Sequence, residues 1–197
     1  MTALESSAER DIERILRTVS PLPTARRRPA LAVLVGLPGT GKSRFAEALC
    51  QRTGAVVLES DDLRKRLVRR PTYSAAESRR LFEAIHGAID RLLQAGAAVV
   101  LDATNLAERE REPLYTMAEA RDARLILVRL AAPGPVVRER LAQRQQEDAE
   151  TQSDADVKVY ERMRLREERI RRPHYVVDTS RDIEPVLARI AREMGSA

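Results

Sequence analysis

The chain has 197 residues, 43% of them hydrophobic and 33% charged, a length that suits one packed α/β core with a terminal extension rather than two large domains. No apolar stretch approaches the roughly 20 residues of a membrane span, and residues 1–20 carry acidic side chains where a signal peptide would be apolar, so the expected compartment is the cytoplasm. A formal net charge of +5 and a pI of about 9.8 favour polyanionic partners, while the absence of tryptophan and only 3% aromatic residues argue against a stacking platform for single strands.

Leu4, Ala8, Ile12, Ile15, Leu16 and Val19 recur at helical spacing among Glu5, Glu9, Arg10, Glu13 and Arg14, which predicts an amphipathic helix. Pro21, Pro23 and the run Arg26 to Pro29 break it. Residues 1–29 therefore read as a helix and linker appended to a domain over residues 30–197. That domain alternates short apolar runs with helix-period segments. The runs are Leu31–Val35, Val56–Leu58, Val99–Leu101, Leu125–Val128 and Tyr175–Val177; continuous hydrophobicity suits strands buried on both faces of a parallel sheet. Between and after them come Phe45–Leu49, Leu81 to Leu92, Leu114–Ala118, Val136–Leu141, Val159 to Ile170 and Ile183 to Met194. The alternation predicts right-handed βαβ units in a doubly wound, five-stranded parallel sheet. Cys50 is the only cysteine, which excludes an intrachain disulfide and a Cys-based zinc site. His86 and His174 have no partners at metal-ligand spacing and read as structural.

Gly36, Leu37, Pro38, Gly39, Thr40, Gly41, Lys42 and Ser43 fit the pattern G-x-x-x-x-G-K-S directly after a predicted strand and before a predicted helix. Phosphate binding needs these residue types because glycines let backbone N–H groups turn inward, and the positive end of the following helix adds a favourable field. Lys42 supplies a mobile cation for the β and γ phosphates of ATP, and Ser43 a hydroxyl for Mg²⁺. Lysine is scarce here, three against thirty-two arginines, so its position inside this loop is informative. The base-reading N-K-x-D of GTPases and the L-S-G-G-Q of transporter ATPases are absent, and the short chain suits a kinase.

Asp61 follows the second strand, on the carboxyl edge where open α/β sheets place their ligands. A carboxylate there can orient an acceptor hydroxyl and take its proton. Arg64, three residues on, shares its helix face and can hold an anionic acceptor. The competing reading is that Ser60 caps a helix whose positive end Asp61 and Asp62 favour. Asp102 ends the third strand, within reach of a magnesium ion through water, and Thr104 and Asn105 stand close enough to approach phosphate. Asn105 fits equally as the cap of the next helix, with Glu108 three residues on. Arg140 and Arg144 lie four apart on one helix face, either as a lid balancing charge on the transferring phosphoryl group or as a solvated basic stripe. Arg162 to Arg172, interleaved with Glu161, Glu167 and Glu168, reads as a solvated, salt-bridged helix face.

These stretches together resemble the P-loop kinases related to polynucleotide 5′-hydroxyl kinases, a group with zeta-toxin-like relatives. The resemblance rests on Gly36 to Ser43, Ser60-Asp61 with Arg64, Asp102 to Asn105 followed by Arg111 and Pro113-Leu114, and Arg140 with Arg144. It implies transfer of the ATP γ-phosphate to a hydroxyl, with Asp61 as general base, Arg64 on the acceptor phosphate and the lid arginines on ATP. The favoured acceptor on this reading is a polynucleotide 5′-hydroxyl end. Ser153 to Asp156 also resembles a branch of bacterial ATP-binding proteins often fused to aminoglycoside-phosphotransferase-like domains. A small-metabolite or antibiotic kinase is therefore an alternative, and a nucleotide-dependent switch that transfers to no acceptor is another.

Overall fold

The apolar runs form five strands, β1 (Ala30–Val35), β2 (Val56–Glu59), β3 (Ala98–Asp102), β4 (Arg124–Ala131) and β5 (Tyr175–Asp178). All pair in parallel, in the order β2-β3-β1-β4-β5. The structure, a computed structural model, describes residues 3–19, 25–147 and 153–195. Every residue of β1 and β3 is buried, which is why those strands read as unbroken apolar runs.

Alternate residues of the central strands serve opposite faces. Leu31, Val33, Val35, Val99, Leu101 and Leu127 point to one cluster, covered by α1 (Ala3–Thr18), α3 (Ser60–Leu67), α4 (Ala75–Gln94) and α5 (Glu108–Ala120). Leu34, Val100, Ile126, Val128, Leu130 and Val177 point to the other, covered by α2 (Lys42–Thr53) and α8 (Glu184–Glu193) through Phe45, Leu49, Leu187 and Ile190. The sheet is thus doubly wound, as the alternation of elements predicts. A third cluster, Leu37, Leu106, Val137, Leu141 and Tyr160, lies apart from both and draws in α6 (Gly134–Glu147) and α7 (Ser153–Arg164).

The amphipathic α1 is present and packs along α4. Ile15 is 1% exposed, and a Cβ added at Gly87 would stand 2.4 Å from Ile12 Cδ1, so the two helices meet where α4 has no side chain. Buried Asp11 accepts Arg80 Nε at 2.6 Å, and Glu9 pairs with Arg91.

The segment Arg162 to Arg172 departs from the expected helix face. Helix α7 ends at Arg164, and the chain then runs irregularly to β5. Tertiary partners explain the break: Arg129 pairs with Glu167 at 2.7 Å, Glu168 N–H donates to Leu106 O at 3.0 Å, and the Glu168 carboxylate accepts the N–H of Glu108 at 2.9 Å. A carboxylate on the first turn of α5 is favoured by that helix's positive end. Ile170, read as part of the helix, is instead buried in the core from this irregular stretch.

Candidate active site

The carboxyl ends of the five parallel strands bring together the segments singled out in the sequence. Gly36 to Ser43 joins β1 to α2. Its first glycine sits where a Cβ would come within 2.6 Å of Leu130 O, the backbone of β4, so only glycine fits that approach. Gly39 and Gly41 stand at φ 77° and 82°, the left-handed region. Thr40 Oγ1 donates to Leu37 O at 2.7 Å and Lys42 Nζ to the same oxygen at 3.1 Å, which draws the lysine back over the loop. Helix α2 starts on Gly41 with no side-chain cap. Pro38 is half-buried, and Ser43 is exposed in the first turn.

The exit of β3 lies against this loop. Thr104 O accepts the N–H of Gly36 at 3.0 Å. Asn105, at φ 46° and 3% exposed, donates through Nδ2 to Leu34 O at 2.8 Å. It does not cap α5, whose N-cap is Ala107. Its amide ties β3 to the end of β1 and so positions the phosphate loop. Arg111 holds the same stretch from below: fully buried, it donates to Asn105 O and Leu106 O, both at 2.7 Å, and pairs with Glu108 at 2.6 Å. Asp102 is 3% exposed at the end of β3.

On the other flank, Ser60 is the first residue of α3 rather than its cap. Asp62 pairs with Arg66 at 2.7 Å, whereas Asp61 stays exposed. Arg64 is 6% exposed, with Nη1 donating to Glu77 Oε1 at 2.5 Å and Nη2 to Ser78 Oγ at 3.3 Å. The N–H of Thr72 and then the Arg64 guanidinium hold the Glu77 carboxyl down to about 2.

Arg140 of α6 has a different environment. Its Nη1 donates to Thr179 Oγ1 at 2.8 Å and its Nη2 to Thr179 O at 2.8 Å, with Gly39 O a further 3.5 Å contact. These acceptors are neutral; the carboxylate that feels the Arg140 charge is Asp178, held below the usual range first by its hydrogen bonds from Ser180 and in smaller part by Arg140. Val137 and Leu141 pack over Gly39, each about 3 Å from where a Cβ would stand there. Arg144 belongs to the same helix; its side chain, like those of Ser153 to Asp156, lies outside the described residues.

Two residues with no assigned role in the sequence reading shape the site. Thr179 links four segments, donating its hydroxyl to Thr40 O at 2.9 Å and its N–H to Ala131 O at 2.9 Å while accepting Arg140. Its place just after the last strand was the available signal. Glu77 follows the helix-capping Ser74 by three residues and reads from sequence as a capping-box acid; its carboxylate serves Thr72 and Arg64 instead. Among the described residues no three or more His, Cys, Asp or Glu gather as a metal cage, and no helix is long and apolar enough to cross a membrane. Magnesium held mainly by phosphate oxygens needs no such cage. The exposed Ser43 hydroxyl and the Asp102 carboxylate suit it as oxygen donors.

A family described as an AAA domain matches residues 31–170, from the first strand through the segment after α7. The chain belongs to that family. Among curated proteins nothing matches this chain. Solved structures of kinases share its fold. An APS kinase from Mycobacterium tuberculosis, in complex with AMPPNP and APS, superposes with a TM-score of 0.59 at 17% identity, covering 87% of this chain and 100% of that one. A gluconokinase from Sinorhizobium meliloti 1021 gives 0.56 at 24%, covering 86% and 91%. Kti12 from Chaetomium thermophilum, in complex with ADP-AlF3, gives 0.63 at 20%, covering 84% and 100%. The AAA domain therefore has the kinase-like P-loop fold.

Proposed function

We propose that this protein is an ATP- and Mg²⁺-dependent kinase that transfers the γ-phosphate to a hydroxyl of a small molecule, acting in the cytoplasm. One observation carries the choice of acceptor: Arg64 is locked in an enclosed ion pair with Glu77, whereas Arg140 stands beside the phosphate loop with its hydrogen bonds on Thr179. A polynucleotide 5′ end would bring a phosphodiester toward Arg64, and that guanidinium is already paired. The kinases of like fold include those named for APS and gluconate, both small acceptors.

In this reading the N–H groups of Gly36 to Ser43 cradle the β-phosphate, and Lys42 leaves Leu37 O to span the β and γ phosphates. Ser43 and Asp102 would hold magnesium, which would supply neutralisation of charge on the phosphate oxygens when bound. Asp61 aligns the acceptor hydroxyl with the γ-phosphorus. The bond from that phosphorus to the bridging oxygen breaks, one to the acceptor oxygen forms, and Asp61 takes the hydroxyl proton. Because the transition state is loose, positioning counts for more than basicity. Arg140, with Arg144 four residues on, balances charge on the phosphoryl group.

The test incubates the protein with Mg²⁺ and γ-labelled ATP, offering small hydroxyl compounds beside 5′-hydroxyl DNA and RNA. Label should appear on a small molecule, be lost in Lys42→Ala, and be lost in Asp61→Asn while that variant still binds ATP. Label on an oligonucleotide would restore the polynucleotide reading, and free phosphate alone would favour the switch.

A further inference from the structure

The acceptor side of the site is built from α3 and the chain that leads into α4. Arg64 lies one helical turn beyond Asp61, about 4.5 Å along the axis. Its pair with Glu77 is enclosed, the two side chains 7% and 9% exposed. Glu77 is gripped from its other oxygen as well, by the N–H of Thr72 at 2.7 Å and the Thr72 hydroxyl at 2.8 Å. The carboxylate therefore stays ionised and in place at neutral pH. An incoming phosphate would have to take Arg64 from it and leave a buried charge stranded, a strongly unfavourable exchange.

Tyr73 completes this corner. Its backbone stands at φ 54°, unusual for an aromatic residue. One face of its ring lies over the Arg64 guanidinium, 4.8 Å from centroid to Cζ, while the residue is 63% exposed. Phe45, Tyr115 and Tyr160 are buried in the core and Phe82 and Tyr175 are half-buried, so among the described residues Tyr73 is the phenylalanine or tyrosine most open to solvent. A ring held flat on one side and open on the other is a ready surface for a second ring.

We propose that the acceptor is an uncharged, ring-bearing hydroxyl compound whose ring lies on Tyr73 and whose hydroxyl meets Asp61, with Glu77 the residue that excludes phosphorylated acceptors by neutralising Arg64. This rests on the kinase reading of the same site. Nucleosides and free sugars share the required chemistry, and the probes separate them.

Binding is measured without ATP by ligand-observed NMR titration of the full chain. The probes are adenosine with adenosine 3′-monophosphate, and glucose with glucose 6-phosphate. One uncharged probe should bind, and its phosphorylated counterpart at least tenfold more weakly. Tyr73→Ala should weaken the uncharged probe at least tenfold while Tyr73→Phe retains it. Glu77→Gln should shift the preference toward the phosphorylated member. Should that variant fail to fold, the surface Tyr73 pair still decides. The proposal is overturned if the wild type binds a phosphorylated probe as well as its counterpart, if neither uncharged probe binds, or if Tyr73→Ala changes nothing. ATP binding, and its loss in Lys42→Ala, is scored separately, so failure of the kinase reading is distinguishable.

Discussion

Thr179 shows how much one hydroxyl can organise. It accepts from Arg140 and donates to Thr40 O, so helix α6 and the loop from Gly36 to Ser43 are referenced to one oxygen. Removing it while keeping the shape, as in Thr179→Val, should lower ATP affinity about tenfold, the scale of one hydrogen bond to a charged group. Thr179→Ser should restore it, and titration with a fluorescent ATP analogue reads both. Gly36→Ala is expected to be more severe than an ordinary glycine replacement, because its Cβ would meet the carbonyl of Leu130, which is backbone and cannot swing aside. Loss of ATP binding together with a lowered melting temperature is the expected result. The loop itself was legible in the sequence, since each of its residues has a local reason to be there. Glu77 and Thr179 were not, because their partners Arg64 and Arg140 stand 13 and 39 residues away.

At the scale of elements, the strands followed directly from their unbroken apolar runs, and helices α2, α4, α5 and α8 from their periodicity. Helix α1 was legible as amphipathic, but the surface it covers was not. In the fold it closes the core over α4 with Ile15 buried, and Ile15→Ala should cost about 2–5 kcal/mol in urea denaturation, the range for emptying such a site. A cost under about 1 kcal/mol would mean that α1 frays from α4. The stretch after Arg164 went the other way. Its charge pattern fits a helix, yet Glu167 and Glu168 find partners on β4 and α5 that a continued helix would not reach. Local propensity is a weak prior where several tertiary bonds compete with it.

At the scale of the whole molecule, burial of one histidine bears on stability near neutral pH. His86 lies on α4 beside Phe82, with ring centroids 6.2 Å apart, and desolvation pushes its imidazole below the ordinary value of 6.5, partly opposed by Glu83. The unfolded chain then binds the proton more readily than the folded one, so this residue's contribution is present above pH 6.5 and is lost as the pH falls. Urea midpoints should drop between pH 7.5 and 5.5, and drop less in His86→Gln; equal drops would assign the effect to other groups.

The amino-acid sequence by itself determined the fold class, the glycine-rich loop between β1 and α2 and the sheet edge at which the singled-out segments gather. Each of those depends on contiguous patterns: apolar runs for buried strands, glycines for tight turns, and the rule that parallel strands gather their carboxyl ends. Only the tertiary structure decided which charges remain available there. Arg64 and Arg140 look alike in the sequence, yet one is enclosed in an ion pair with a carboxylate across a helix boundary while the other hydrogen-bonds to the hydroxyl and carbonyl of Thr179. The free energy of a charge depends on what surrounds it in space, and neighbours along the chain do not supply that information.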